Sequence, residues 1–195
     1  VGDARASHVT RWLDECYGEF GDNYRNGAVR AIKWAFNWSV EQELIDRNPA
    51  ANVETPPYCL RETWLTPEQW KKVVALVKPT DPFHDLLVFL YRSGCRPFEA
   101  RIAEARHFDG SDGSLVFRVK DSKGKRYRRV IPLEGEALAI VQRLALKYPD
   151  GRLFRNGKSG IWTPSAIDHR FSKLSKKVGF KLLPYQLRHS WAPTR

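Results

Sequence analysis

The sequence predicts a mostly helical α+β fold in two pieces. Three observations carry this. Apolar residues recur at three- and four-residue spacing over most of the chain, the mark of helices with one buried face. The period changes once, around residues 114–133, where β-branched and aromatic residues flank a glycine-bearing turn. A segment with three prolines, "DRNPAANVETPPYCLRET" (46–63), breaks the pattern between the two pieces.

The first piece reads as helical throughout. In "YRNGAVRAIKWAFNWSVEQELI", Val29, Ile32, Phe36 and Val40 form one apolar stripe, and Arg30, Lys33 and Asn37 lie beside it. Those side chains are either an ordinary solvated face or a stripe that meets phosphates. After the break, "LTPEQW" opens a helix: Thr66 caps it, Pro67 suits the first turn, and Gln69 completes a capping box. Helical patterns are predicted over 67–77, 82–92 and 97–106. "SLVFRVK" (114–120) and "RYRRVIPL" (126–133) read as strands of a hairpin whose tip, "DSKGK", is basic. Helices resume over 134–147, 164–178 and 185–192, the second opened by Thr163 and Pro164.

Composition narrows the function. Lys and Arg number 33 against 22 Asp and Glu, a net charge of +11 in 195 residues. Such an excess points to a polyanionic partner, nucleic acid first and an anionic membrane surface second. Seven Trp and ten Phe supply a core and argue against disorder. Cys16, Cys59 and Cys95 are odd in number and widely spaced, so neither a disulfide framework nor a zinc site is expected. The longest apolar runs are too short to span a bilayer, and the polar opening "VGDARASHVT" is no signal peptide. Val1 rather than Met fits a processed or cut chain. An intracellular, cytoplasmic setting follows, with no metal and no small-molecule cofactor.

Three basic clusters could do chemistry. In "SGCRPFEA", Gly94 ends one helix, Arg96 precedes the next, and Glu99 sits one turn on. Arg96 at a helix start could help attract a phosphate, or simply pair with Glu99 at the surface. The hairpin tip carries Lys123, Gly124, Lys125 and Arg126: a groove-entering ribbon, a proton donor, or a solvated turn. In the closing "YQLRHS", Tyr185, Arg188 and His189 share one helical face, and a planar, always charged guanidinium suits a phosphate oxygen.

Taken in order, "GCRPFEA", a hairpin with "SKGK" ending in "RRVIPL", and "PYQLRHS" resemble the tyrosine recombinase (phage integrase) family over nearly the whole chain. The resemblance implies a partial helical core-binding domain at 1–48, a linker at 49–63 and a catalytic domain at 64–195. It implies that Arg96 and Arg188 clamp the scissile phosphate of double-stranded DNA and that Glu99 supports Arg96. Lys123 would protonate the leaving 5′-oxygen, with Lys125 the reserve choice. Tyr185 stands where the family usually has His or Lys, a departure, since a phenol is a poorer general base at neutral pH. Arg30, Lys33, Lys125, Arg126 and His189 are the expected DNA-binding residues, with Arg30 and Lys33 the candidates for base-edge contacts in the major groove.

In the family, the nucleophilic tyrosine follows this Arg-His pair, whereas no tyrosine follows Tyr185 here. The resemblance thus implies a truncated member, cleavage-deficient by itself, whose intact form integrates or recombines DNA by transesterification and is nucleoid-associated. Apolar surface left by truncation would be covered by a partner, a second copy or rearranged C-terminal residues. The alternative is an interaction protein or inhibitor that assembles with full-length recombinases. A metal-dependent nuclease fits worse, because the carboxylates do not cluster.

Overall fold

Two units make up the chain, Val1–Glu62 and Thr63–Arg195. The computed structural model describes residues 4–59, 64–121 and 127–191. In the first unit, α1 (Ala6–Tyr17) packs on α2 (Asp22–Glu41) through Val9, Leu13 and Val29, all buried, with Ile32 and Phe36 partly buried beside them. The helical pattern was expected to run to Ile45, but α2 stops at Glu41, and Glu43 takes a left-handed φ of 56° that ends the helical path.

The proline-bearing segment is tied down by asparagines. Asn23 and the backbone of Cys59 exchange two hydrogen bonds, each 2.7 Å. Asn26 donates to the Pro56 carbonyl at 2.6 Å, and Asn48 donates to the Lys33 carbonyl at 3.1 Å. Ala50 and Val53 complete the small core. Residues 49–59, read from their prolines as a linker, thus pack onto the first unit up to Cys59.

The second unit is built around α4 (Pro82–Ser93), in which eight of twelve residues are buried. Asp81 caps it by accepting from the Phe83 N–H at 2.9 Å, and Arg170 pairs with the same carboxylate while stacking on the Phe83 ring. The Asp81 side chain is partly buried, which favours its neutral form, but the Arg170 hydrogen bond and the Phe83 N–H outweigh this and hold its pKa below the usual value. Before α4 lies α3 (Pro67–Ala75), with the predicted Thr66–Gln69 capping box formed in both directions. Around α4 stand α5 (Pro97–Ile102), α6 (Gly135–Lys147), α7 (Pro164–Val178) and α8 (Pro184–Trp191). Phe83 meets Trp162 and Phe171 edge-on, and Phe89 packs on Phe154. Ser190 of α8 accepts the Leu65 N–H at 2.6 Å, which joins the far end of the unit to its beginning.

The expected two-stranded hairpin is a three-stranded antiparallel sheet, β1 (Phe108–Asp109), β2 (Ser114–Phe117) and β3 (Arg129–Pro132), in the order β1-β2-β3. Leu115 faces Ile131, and Phe117 faces Arg129. The strands are shorter than predicted because the chain leaves β2 into a 3-10 turn at Val119–Asp121. The helix expected over 97–106 ends at Ile102: Ala103 is extended, and its carbonyl accepts from Leu153 N at 2.8 Å. A 3-10 turn, Ala105–His107, follows. Among the described residues no helix is long and apolar enough to cross a membrane, and no group of three or more His, Cys, Asp or Glu could hold a metal ion.

Candidate phosphate-binding site

Gly94 makes the site possible. It ends α4 with a φ of 59°, in the left-handed region where glycine is at ease, so the chain turns at once into α5. Arg96 is the N-cap of α5, and its side chain folds over the first turn. Its Nη1 donates to Glu99 Oε1 at 2.7 Å, and its backbone N–H donates to Oε2 at 2.8 Å. The pairing is not the surface contact weighed from sequence: the Glu99 side chain is 2% exposed, against 33% for Arg96.

Arg188 approaches from α8. It is half-buried, and its Nη1 donates to the Gly94 carbonyl at 2.5 Å. Burial, then the like charges of Arg96 and Arg129, hold its pKa below the usual arginine value, while Glu99 acts the other way. An arginine stays protonated under any such shift of ordinary size, so these neighbours form a concentrated positive field. Arg129 stands on β3, its Nε 3.4 Å from Glu99 Oε1. The neighbouring Cys95 thiol is fully buried, and burial pushes its pKa up to about 12, so it stays protonated and is no nucleophile at neutral pH.

The fold thus brings Arg96, Glu99 and Arg188 together from two elements far apart in sequence. Tyr185 and His189 lie on the exposed side of α8. Lys123, Lys125 and Arg126 fall outside the described residues. Arg30 is exposed and Lys33 half-buried on α2, in the first unit. Arg129 was missed, and one signal could have found it. In "RRVIPL" strict alternation puts Arg129 on the same face as buried Ile131 and Leu133, an unusual place for an unexplained charge.

No family model matches the chain. It is 27% identical over 201 residues to tyrosine recombinase XerC of Actinobacillus pleuropneumoniae serotype 7, covering 95% of this chain and 64% of that protein. Against tyrosine recombinase XerA of Pyrococcus furiosus it is 27% identical over 177 residues, covering 86% and 58%. The chain therefore spans about three-fifths of the length of these curated relatives. Among solved structures, a lambda integrase dimer bound to a COC′ core site superimposes with a TM-score of 0.80 at 15% identity, over 98% of this chain and 71% of that one. The Tn1549 transposon integrase in complex with circular intermediate DNA gives 0.75 at 18% identity, over 99% and 73%.

The chain is similar in sequence to tyrosine recombinases and shares the fold of the integrases. In this chain the arginine cluster lies at the α4–α5 turn and is closed by α8, with Glu99 buried beneath it.

Proposed function

We propose that the chain is the duplex-binding and phosphate-clamping part of a site-specific recombinase. The observation that carries this is the pair of half-exposed guanidinium groups, Arg96 and Arg188, held from two elements beside a single buried carboxylate. Each retains donors for a further acceptor, and a DNA phosphate is the anion that suits a forked, permanently charged pair. Two structural neighbours, both integrases solved in complex with DNA, support the same partner.

In a site-specific recombinase of this kind the reaction would be a transesterification. A tyrosine would give up its hydroxyl proton to water and attack the phosphorus as the phenolate, the bond to the 5′-oxygen would break as that oxygen takes up a proton, and a 3′-phosphotyrosine would keep the bond energy for strand joining. Arg96 and Arg188 would hold the non-bridging oxygens as charge develops on them. Glu99 would fix Arg96, and Lys123, or else Lys125, would protonate the departing 5′-oxygen. Tyr185 would donate a hydrogen bond at its position on α8. Arg30, Lys33, Arg126 and His189 would contact the duplex, Arg30 and Lys33 at base edges. Self-association, or assembly with a full-length recombinase, would fit the same role, as would association with the nucleoid.

Fluorescence anisotropy on labelled duplex DNA tests the reading. Raising salt from about 50 to 200 mM should weaken binding on the order of 10³-fold if roughly six phosphates are neutralised. Arg188→Ala should lower affinity about tenfold or more at every salt concentration and make the salt slope shallower by about one contact. Salt-independent binding, or an Arg188→Ala chain that binds like the wild type, would reject it.

A further inference from the structure

Arg129 is the charged side chain of this region that the phosphate clamp leaves unused. Three observations bear on it. Its strand position turns it inward with Ile131, whereas its neighbour Arg128 is exposed on the opposite face. Its Nε is buried and makes no hydrogen bond among the described residues, although Glu99 Oε1 lies only 3.4 Å away. Both Glu99 oxygens already accept from Arg96, one from Nη1 and one from the backbone N–H. Arg129 thus sits in the field of the carboxylate without being its hydrogen-bonding partner, and 36% of its side chain remains exposed.

The charge count points the same way. Arg96, Arg129 and Arg188 set against Glu99 leave three minus one, an excess of two positive charges. Like charges so close repel, and the fold tolerates this where an anion is meant to enter. A resting phosphodiester carries one negative charge. A phosphorus under attack by an oxygen anion carries two on its non-bridging oxygens, which matches the excess.

We propose that Arg129 is a third anion-binding guanidinium of the site, binding a doubly charged phosphoryl oxyanion alongside Arg96 and Arg188. The inference rests on the phosphate reading of the Arg96–Arg188 pair. Its ligand class is the phosphoryl group at the point of transfer, and inorganic sulfate is a usable stand-in.

The experiment is thermal unfolding of the full chain in sodium sulfate and in sodium chloride at matched ionic strength. Sulfate stabilises proteins in general, so the quantity read is the saturable part of its effect. For the wild type that part should be present. Arg129→Gln should need roughly tenfold more sulfate for the same effect. Arg128→Gln, which removes the same charge one residue away, should respond like the wild type. Arg188→Gln tests the underlying reading and should also lose the response. A wild-type response in Arg129→Gln with a lost response in Arg188→Gln overturns the role of Arg129 and leaves the phosphate reading standing. Wild-type responses in both overturn the two together. Should Arg129→Gln not fold, Arg129→Lys decides: a weakened response supports the proposal, because an ammonium cannot reproduce the fork, and an unchanged one overturns it.

Discussion

Glu99→Ala is expected to destabilise the second unit by about 2–4 kcal/mol, read as a lower urea midpoint with an unchanged denaturant slope. The carboxylate side chain is 2% exposed and accepts from both the Arg96 guanidinium and the Arg96 backbone N–H. Removing it leaves a small cavity, an unpaired N–H at the start of α5, and three guanidinium groups with no counter-charge between them. Arg96 and Arg129 are about one-third exposed and can rehydrate, which is why the effect stays below that of a fully buried pair. Glu99→Gln keeps the shape and one acceptor and should cost roughly half as much. Added sulfate should restore more stability to Glu99→Ala than to the wild type, since the anion replaces the missing charge. A Glu99→Ala midpoint equal to that of the wild type would mean that the buried carboxylate does not hold the cluster together.

Gly94→Ala should cost about 3 kcal/mol or more and weaken DNA binding as well, measured by the same denaturation and anisotropy experiments. Its φ of 59° lies where an alanine is strained, and an added Cβ would come within 2.6–2.8 Å of the Trp191 indole. Something must move: either α8, which carries Arg188, or the turn itself, whose carbonyl accepts the Arg188 hydrogen bond. Either shift separates the two arginines of the clamp. A substitution that lowers stability while leaving DNA affinity untouched would show that the turn is structural only. That result would disconnect Gly94 from the site.

The parts legible in the sequence were those with a local cause. Thr66, Pro67 and Gln69 announce α3, and Thr163 with Pro164 marks the start of α7, signals that need no tertiary information. Gly94 and Arg96 were readable for the same reason, because a helix stop followed by a charged cap is written in consecutive residues. What escaped depends on distant partners. The early end of α5 follows from Ala103 handing its carbonyl to Leu153, fifty residues on. β1 is only two residues long and is defined by Leu115 and Ser114 across the sheet, with no period of its own. The packing of residues 49–59 onto α2 rests on three asparagine side chains whose targets composition does not reveal. In the site, the shared burial of Glu99 between Arg96 and Arg129 is a fact of packing, and only the alternation along β3 hinted at it.

The central claim is that the arginine cluster holds a phosphate of duplex DNA. A crystal structure of the chain with a bound duplex would test it most directly. A phosphate with non-bridging oxygens within about 3 Å of guanidinium nitrogens of both Arg96 and Arg188 is the predicted result. A duplex seated elsewhere on the second unit, with both arginines turned to solvent, would contradict it.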